Sequence, residues 1–165
     1  KIEKFIKKND LYIICLNTNK SINEKLINLR TACHPFRIIS DISNYNSKTN
    51  LAMPLSMLPN EIFEKIKNKN KQIRDYGIST NLNNKIIVKK NYCVLPNSLA
   101  ISYSLSIAIA GKSKKIFLAG FDGYDVDDSK NDETDLILKI VRKTYRKLKI
   151  LSITKTKYKL KNYIS

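Results

Sequence analysis

Apolar residues gather in short solid runs separated by polar stretches. Leu11–Leu16 (LYIICL), Ile116–Ala119 (IFLA) and Ile150–Ile153 (ILSI) are unbroken or nearly so and rich in β-formers. That is the pattern of strands covered on both faces. Elsewhere the spacing turns helical. Ile2, Phe5 and Ile6 predict a short opening helix, and Ile62, Phe63 and Ile66 predict one over Glu61–Lys67. Leu136, Ile137, Ile140, Val141 and Tyr145 lie on one side of an amphipathic helix over Leu136–Leu148. Leu99–Ala110 is apolar around most of its circumference and reads as a central helix. Asn97-Ser98 supplies its N-cap pair, and Gly111 is its left-handed stop.

The remaining segments carry shorter signals. Ser21-Ile22-Asn23-Glu24 reads as a capping box opening a helix through Leu26, Ile27, Leu29 and Arg30. Phe36–Ile39 reads as a second strand, followed by a polar loop across Asp41–Asn50, and Pro54 and Pro59 bracket an irregular stretch. Ile73–Ile78 and Ile86–Val88 read as short strands, and Tyr92–Leu95 leads into Pro96. From Asn97 to Ile153 the order is helix, glycine turn, strand, acidic loop, helix, strand, which is the grammar of a parallel sheet. The expected fold is a single Rossmann-like three-layer α/β domain over residues 1–165 with a mainly parallel sheet. Ile116–Ala119 is its central strand, flanked by Leu11–Leu16 or Ile150–Ile153. No apolar run approaches the ~20 residues a membrane span needs, so no membrane partner is expected. The first residue is Lys1, with no signal-peptide core after it, and the expectation is a C-terminal piece of a longer chain.

Composition changes the picture in one respect. Among 165 residues, Lys and Arg number 31 against 14 Asp and Glu, a net charge of +17. Such a charge suggests nucleic acid or an anionic surface. However, 26 Lys, 24 Ile and 18 Asn make up 68 of the residues, and all three have A/T-rich codons, so a low-GC coding bias accounts for the same charge. Arg, the residue of bidentate contacts to guanine and phosphate, occurs only five times, which argues against a nucleic-acid partner. Three widely spaced cysteines, Cys15, Cys33 and Cys93, fit neither a zinc set nor a disulfide framework and point to a reducing, cytoplasmic setting. The single histidine, His34, leaves no His pair for a metal.

Charge distribution is more informative than total charge. Seven of the 14 acidic residues fall within Asp122–Asp135 beside one base, Lys130, so this window carries −6 and the rest of the chain +23. The window starts where a strong strand ends, the place where open α/β sheets bind ligands. Asp122 is therefore a candidate to orient a ribose, amine or metal, with Gly120 and Gly123 permitting close backbone approach. A second candidate is Asn97-Ser98, where a helix start offers free amides to phosphate or carboxylate; simple capping asks for the same residues. Asp132, Glu133 and Asp135 suit a helix first turn. Asp125-x-Asp127 lacks the glycine and glutamate of a calcium loop. Neither G-x-G-x-x-G nor G-x-x-x-x-G-K-[ST] occurs.

Asn97–Ala110, Lys115–Tyr124 (KIFLAGFDGY), Asn131-Asp132-Glu133 and Leu151–Tyr158 together resemble the C-terminal domain of aldolase-like proteins. These belong to the HMG-CoA lyase and 4-hydroxy-2-oxovalerate aldolase superfamily found among bacterial surface-polysaccharide genes. Leu16-Asn17-Thr18-Asn19 and the Pro54–Pro59 stretch extend the likeness over most of the chain. More distantly, the strand-and-helix part looks like bacterial sialyltransferases that use CMP-sialic acid. The resemblance implies an accessory domain that binds an anionic metabolite or nucleotide and is partnered by its own N-terminal catalytic domain. It implies no cofactor in this piece, because the divalent metal of that superfamily belongs to an N-terminal barrel not represented here. A Gly-rich turn precedes the opening helix in that family, and this sequence starts after it. The alternative is a nucleotide-sugar-binding, sialyltransferase-like glycosyltransferase fragment. No catalytic residue carries over.

Overall fold

Ile2, Phe5 and Ile6 fall on one stripe, and they form helix α1 (Ile2–Asn9), with Ile6 buried. The computed structural model describes residues 1–45, 48–69 and 72–163. After α1 come β1 (Ile14–Leu16), β2 (Leu29–Thr31), α2 (Pro35–Ser40), β3 (Asn50–Met53), α3 (Asn60–Lys69), β4 (Ile73–Asp75) and β5 (Gly77–Thr80). The second half runs β6 (Ile87–Val88), β7 (Tyr92–Leu95), α4 (Ala100–Ala110), β8 (Lys115–Leu118), α5 (Lys130–Thr144), β9 (Lys149–Ser152) and β10 (Lys161–Asn162). Among the described residues, no helix is long and apolar enough to cross a membrane.

The strands form three hydrogen-bonded groups, ordered β1-β2-β3-β4, β5-β7-β6 and β10-β9-β8. Every pairing is parallel except β6 with β7. Only Tyr76 separates β4 from β5; its amide donates to the Met53 carbonyl, while the next amide, Gly77, donates to Asn91. One extended segment thus pairs with β3 through its first half and with β7 through its second.

Helices cover both faces, as expected of a Rossmann-like three-layer domain. Strand alternation turns Leu118 and Ile150 toward Leu105 of α4 and Ile137, Leu138 and Val141 of α5. Thr31 faces the same way, its hydroxyl 2.6 Å from that of Ser104 on α4. The opposite face presents Ala32, Leu51 and Met53 to Ile38 of α2 and Ile66 of α3. On that second face Phe117 meets Phe5 of α1 edge-on at 5.3 Å.

Several expectations are corrected. The capping box at Ser21–Glu24 opens no α-helix: the chain makes a short 3₁₀ turn, Glu24–Leu26, capped by the Asn23 side chain on the Lys25 amide at 3.0 Å. Leu29 and Arg30 belong to β2. Glu24 does not reach back to Ser21; it turns inward to Arg30, whose side chain is almost wholly buried. That charge partnership outweighs local helix preference. Phe36–Ile39 is helical, because Pro35 presets the first helical position and only Ile38 of the run is buried, Phe36 standing 79% exposed. The polar loop Asp41–Asn50 ends in a strand that pairs on both sides, β3, whose three apolar residues give too short a run to read; Asn46 and Ser47 of that loop lie outside the described residues. α4 starts at Ala100 with Leu99, not Asn97-Ser98, at its N-cap. Gly111 has φ −74°, and the left-handed residue is Lys112 at φ 61°. α5 begins six residues before Leu136, at Lys130, and ends at Thr144, short of Leu148. β8 pairs in parallel with β9 but among the described residues has no hydrogen-bonded neighbour on its other side, so it ends its group instead of sitting at the centre.

Arg30 ties this first half together. Its guanidinium donates to both Glu24 carboxylate oxygens, to the Asn17 carbonyl at 2.9 Å and to Cys15 Sγ at 3.5 Å, and Thr49 donates to Glu24 at 2.5 Å. The Arg30 bonds hold the Glu24 carboxyl below its ordinary 4.5. Its stabilisation is therefore complete above pH 4.5 and is lost as pH falls through the lower folded value. Glu24→Ala leaves a buried cation unpaired and is expected to cost about 2–4 kcal/mol in urea unfolding at pH 7. The Glu24→Gln variant is expected to show a flatter acid limb of stability against pH than the parent chain.

Candidate functional site

In a parallel sheet the carboxyl ends of all strands open on one rim, where free backbone groups and loop side chains converge. Here β1 gives way to Asn17, held left-handed at φ 51° with its amide on the Thr31 carbonyl. Thr18 then donates to Asp41 at 2.8 Å. β2 runs out into Cys33 and His34. The Cys33 thiol donates to the Ser98 carbonyl at 3.3 Å, which ties this end to that of β7. His34, Phe36, Arg37, Ser40 and Asp41 line an open depression of about 540 Å³.

The candidates at the start of α4 are committed to internal bonds. Asn97 accepts from Ser102 Oγ at 2.6 Å and from the Leu99 amide at 3.4 Å, and its own amide donates to the Glu133 carbonyl at 3.3 Å. It fastens the first turn of α5 to the start of α4. Ser98 is exposed.

The candidates after β8 lie on an exposed loop. Gly120 (φ 73°) donates its amide to Thr154 Oγ1 at 3.0 Å, beyond the end of β9. Asp122 is exposed, and its backbone carbonyl accepts from the Lys157 amide at 3.3 Å. Gly123 sits at φ 111°, a conformation that favours glycine, and a Cβ there would meet Lys157 Cδ at 2.7 Å, so a side chain would displace that flexible lysine.

Asn131 organises this loop, a role that reading the residues did not reveal. It accepts from the Tyr124 amide at 2.9 Å and donates to the Asp125 carbonyl at 2.7 Å, while Lys157 Nζ donates to the Tyr124 carbonyl at 2.8 Å. An Asn one position inside a helix carries no local signal for a tether seven residues upstream. Asp128 accepts from the Lys130 amide and pairs with its ammonium at 3.1 Å, which together hold its carboxyl below the ordinary carboxylate range. Asp132 and Glu133 lie in the first turn of α5, as read from the sequence, while Asp135 falls beyond it because the helix starts at Lys130. Much of the acidic window therefore serves the loop and helix that contain it.

The two candidate groups are joined through one element. Asn97 holds Glu133 and Asn131 holds Tyr124 and Asp125, so both pin to the first turn of α5. A cleft of about 1760 Å³ opens between β1 and β8 and extends past β1 to Ala52, Ile73, Tyr76 and Asn91; it reaches Gly120 and Phe121 at its rim end, while Asn97, Ser98, Asp122 and Gly123 fall outside its lining. Among the described residues, no cluster of three or more His, Cys, Asp or Glu could hold a metal ion. Comparison with protein-family models, with curated proteins and with solved structures gives no match.

The three thiols are buried and free. Burial pushes Cys33 up to about 11 and Cys93 up to about 12, and it also raises Cys15 despite the neighbouring Arg30. Thiolate is the reactive form, so a disulfide reagent at pH 8 is expected to label none of them in the folded chain and all three in denaturant. Absorbance of the released chromophore measures this directly.

Proposed function

We propose that this chain is a ligand-binding α/β domain that takes an anionic metabolite or nucleotide where the cleft between β1 and β8 opens onto the rim. In this reading it is an accessory C-terminal domain to an aldolase- or HMG-CoA lyase-like enzyme and does not itself carry the aldol step. The observation that supports a ligand here is the change of covered face between the two strand groups that flank this cleft. Stepping outward from β1, the helices α2 and α3 cover one face; stepping outward from β8, α5 covers the other. Open α/β sheets bind ligands at the carboxyl ends of strands on either side of such a switch.

The chemistry at that mouth suits an anion with hydroxyl groups. Gly120 reaches the rim end of the cleft, and on the loop just beyond its lining Asp122 offers an exposed carboxylate for hydroxyls, with Gly123 beside it against the Lys157 side chain. Away from the acidic window the chain carries +23, a field that draws anions in. The resemblance supports the lyase partnership. A nucleotide-sugar-binding, glycosyltransferase-like role would use the same mouth, and the ligand preference separates the two.

Calorimetric titration with CMP, a CoA thioester and inorganic phosphate tests this. Binding of one anion is expected, and Asp122→Asn is expected to weaken a nucleoside ligand about tenfold, ~1.4 kcal/mol, while leaving phosphate unchanged. Preference for CMP favours the glycosyltransferase-like alternative. Equal affinity for CMP in parent and variant, or binding by neither, assigns Asp122 a structural role.

A further inference from the structure

Edges of β-sheets are normally short, charged or covered, because a bare edge templates pairing with another chain. The outer strands here follow that rule. β10 is two polar residues, Lys161–Asn162, and β6 is two residues between Lys85 and Lys89–Lys90. The two inner ends break it. β1 and the residues leading into it, Leu11–Leu16, contain no charged residue, and β8 with its extension, Lys115–Phe121, contains only Lys115 at its start, yet among the described residues each strand has a ladder on one side only. Their composition is that of interior strands.

Bond parity shows which groups are open. On β8, the Lys114 and Leu118 carbonyls accept from Lys149 and Ile153, so the even positions point to β9. On β1, the Ile13 carbonyl accepts from Leu29 and the Asn17 amide donates to Thr31, so the odd positions point to β2. In a parallel ladder alternate residues serve alternate neighbours. The backbone groups of Ile14 and the amide of Leu16 therefore face the cleft from one side, the Leu16 carbonyl accepting from the Asn19 amide at 3.3 Å, and those of Lys115 and Phe117 face it from the other. Ile101, Ser104, Leu105 and Ala108 of α4 line the cleft, as do Ile2 and Ile6 of α1. The cleft runs on past β1 to Ala52, Ile73, Tyr76 and Asn91, so the seat between the two edges is one part of its 1760 Å³.

We propose that this cleft is the seat of a further β-strand, parallel to β1 and β8 and bonded to both, formed by the residues of this polypeptide that lead into α1. The position of α1 argues for that occupant. It packs its Phe5 on Phe117, on the face that also carries α2 and α3, the helices linking β2 to β3 and β3 to β4. A strand in the cleft followed by α1 and then β1 repeats that right-handed crossover once more in the same direction. With this strand in place the two groups β1-β2-β3-β4 and β10-β9-β8 become one sheet, and the reversal falls at the new strand.

Hydrogen exchange followed by mass spectrometry tests the seat, comparing the 165-residue chain with the protein made from the complete reading frame. Peptides covering residues 11–17 and 114–120 are expected to exchange at least tenfold more slowly in the longer protein, with the β2 peptide over 28–33 unchanged. Equal exchange in the two proteins overturns the proposal, as does a reading frame with no apolar run of four to eight residues before α1. Protection of both edges in a dimer of the 165-residue chain also overturns it, by assigning the seat to a second copy. Anion binding is read separately by titration, so either idea can fail alone.

Discussion

A guanidinium with almost no access to water governs the first half of this molecule. Arg30 lies in β2, where burying a cation costs several kcal/mol unless its donors are met by an opposite charge and good acceptors. Glu24 meets it from the 3₁₀ turn, Asn17 from the end of β1, and Thr49 fixes the carboxylate from the approach to β3. Three successive segments are thereby held against one side chain. The segment from Ser21 to Leu26 cannot wind into a longer helix without withdrawing Glu24, so the crossover from β1 to β2 stays short and β2 lies directly beside β1.

The second half is organised by α4. Its apolar circumference hides a row of serines at 102, 104 and 106, all buried, whose hydroxyls return to the helix backbone or bridge to Asn97 and Thr31. Small side chains let the helix lie close to the sheet, and every hydroxyl is satisfied, so the buried polarity carries little penalty. From this position α4 touches β1 and β2 on one side and packs with Leu118 and α5 on the other. It is the continuous floor beneath two strand groups that share no ladder with each other.

The rim shows how a charge cluster divides between structure and availability. Asp128, Asp132 and Glu133 support a helix start, where carboxylates complement the macrodipole. Asp122 stands apart at an exposed turn between two glycines with left-handed or positive φ. A −6 window in a +17 chain therefore does not by itself define a binding site. Asp122 is exposed on the loop that follows β8, outside the lining of the cleft.

The sequence alone determined the layered α/β architecture, because solid apolar strands alternating with amphipathic helices leave few other ways to bury both. It also located α1, α3 and the body of α4, where local preference and long-range packing agree, and it offered Leu11–Leu16 or Ile150–Ile153 as neighbours of Ile116–Ala119, a choice that the pairing of β8 with β9 decides. Tertiary structure decided the rest where the two disagree. A capping box became a 3₁₀ turn because Glu24 found Arg30, and an apolar tetrapeptide after Pro35 became a helix because only Ile38 had a core to enter. Asn97, which local spacing marked as a cap for α4, became a clasp on α5 through Glu133. Asn131 acquired its role from a loop folded back over it, and the break between β1 and β8 arises from which strand edges meet, a relation between distant segments that no local pattern encodes.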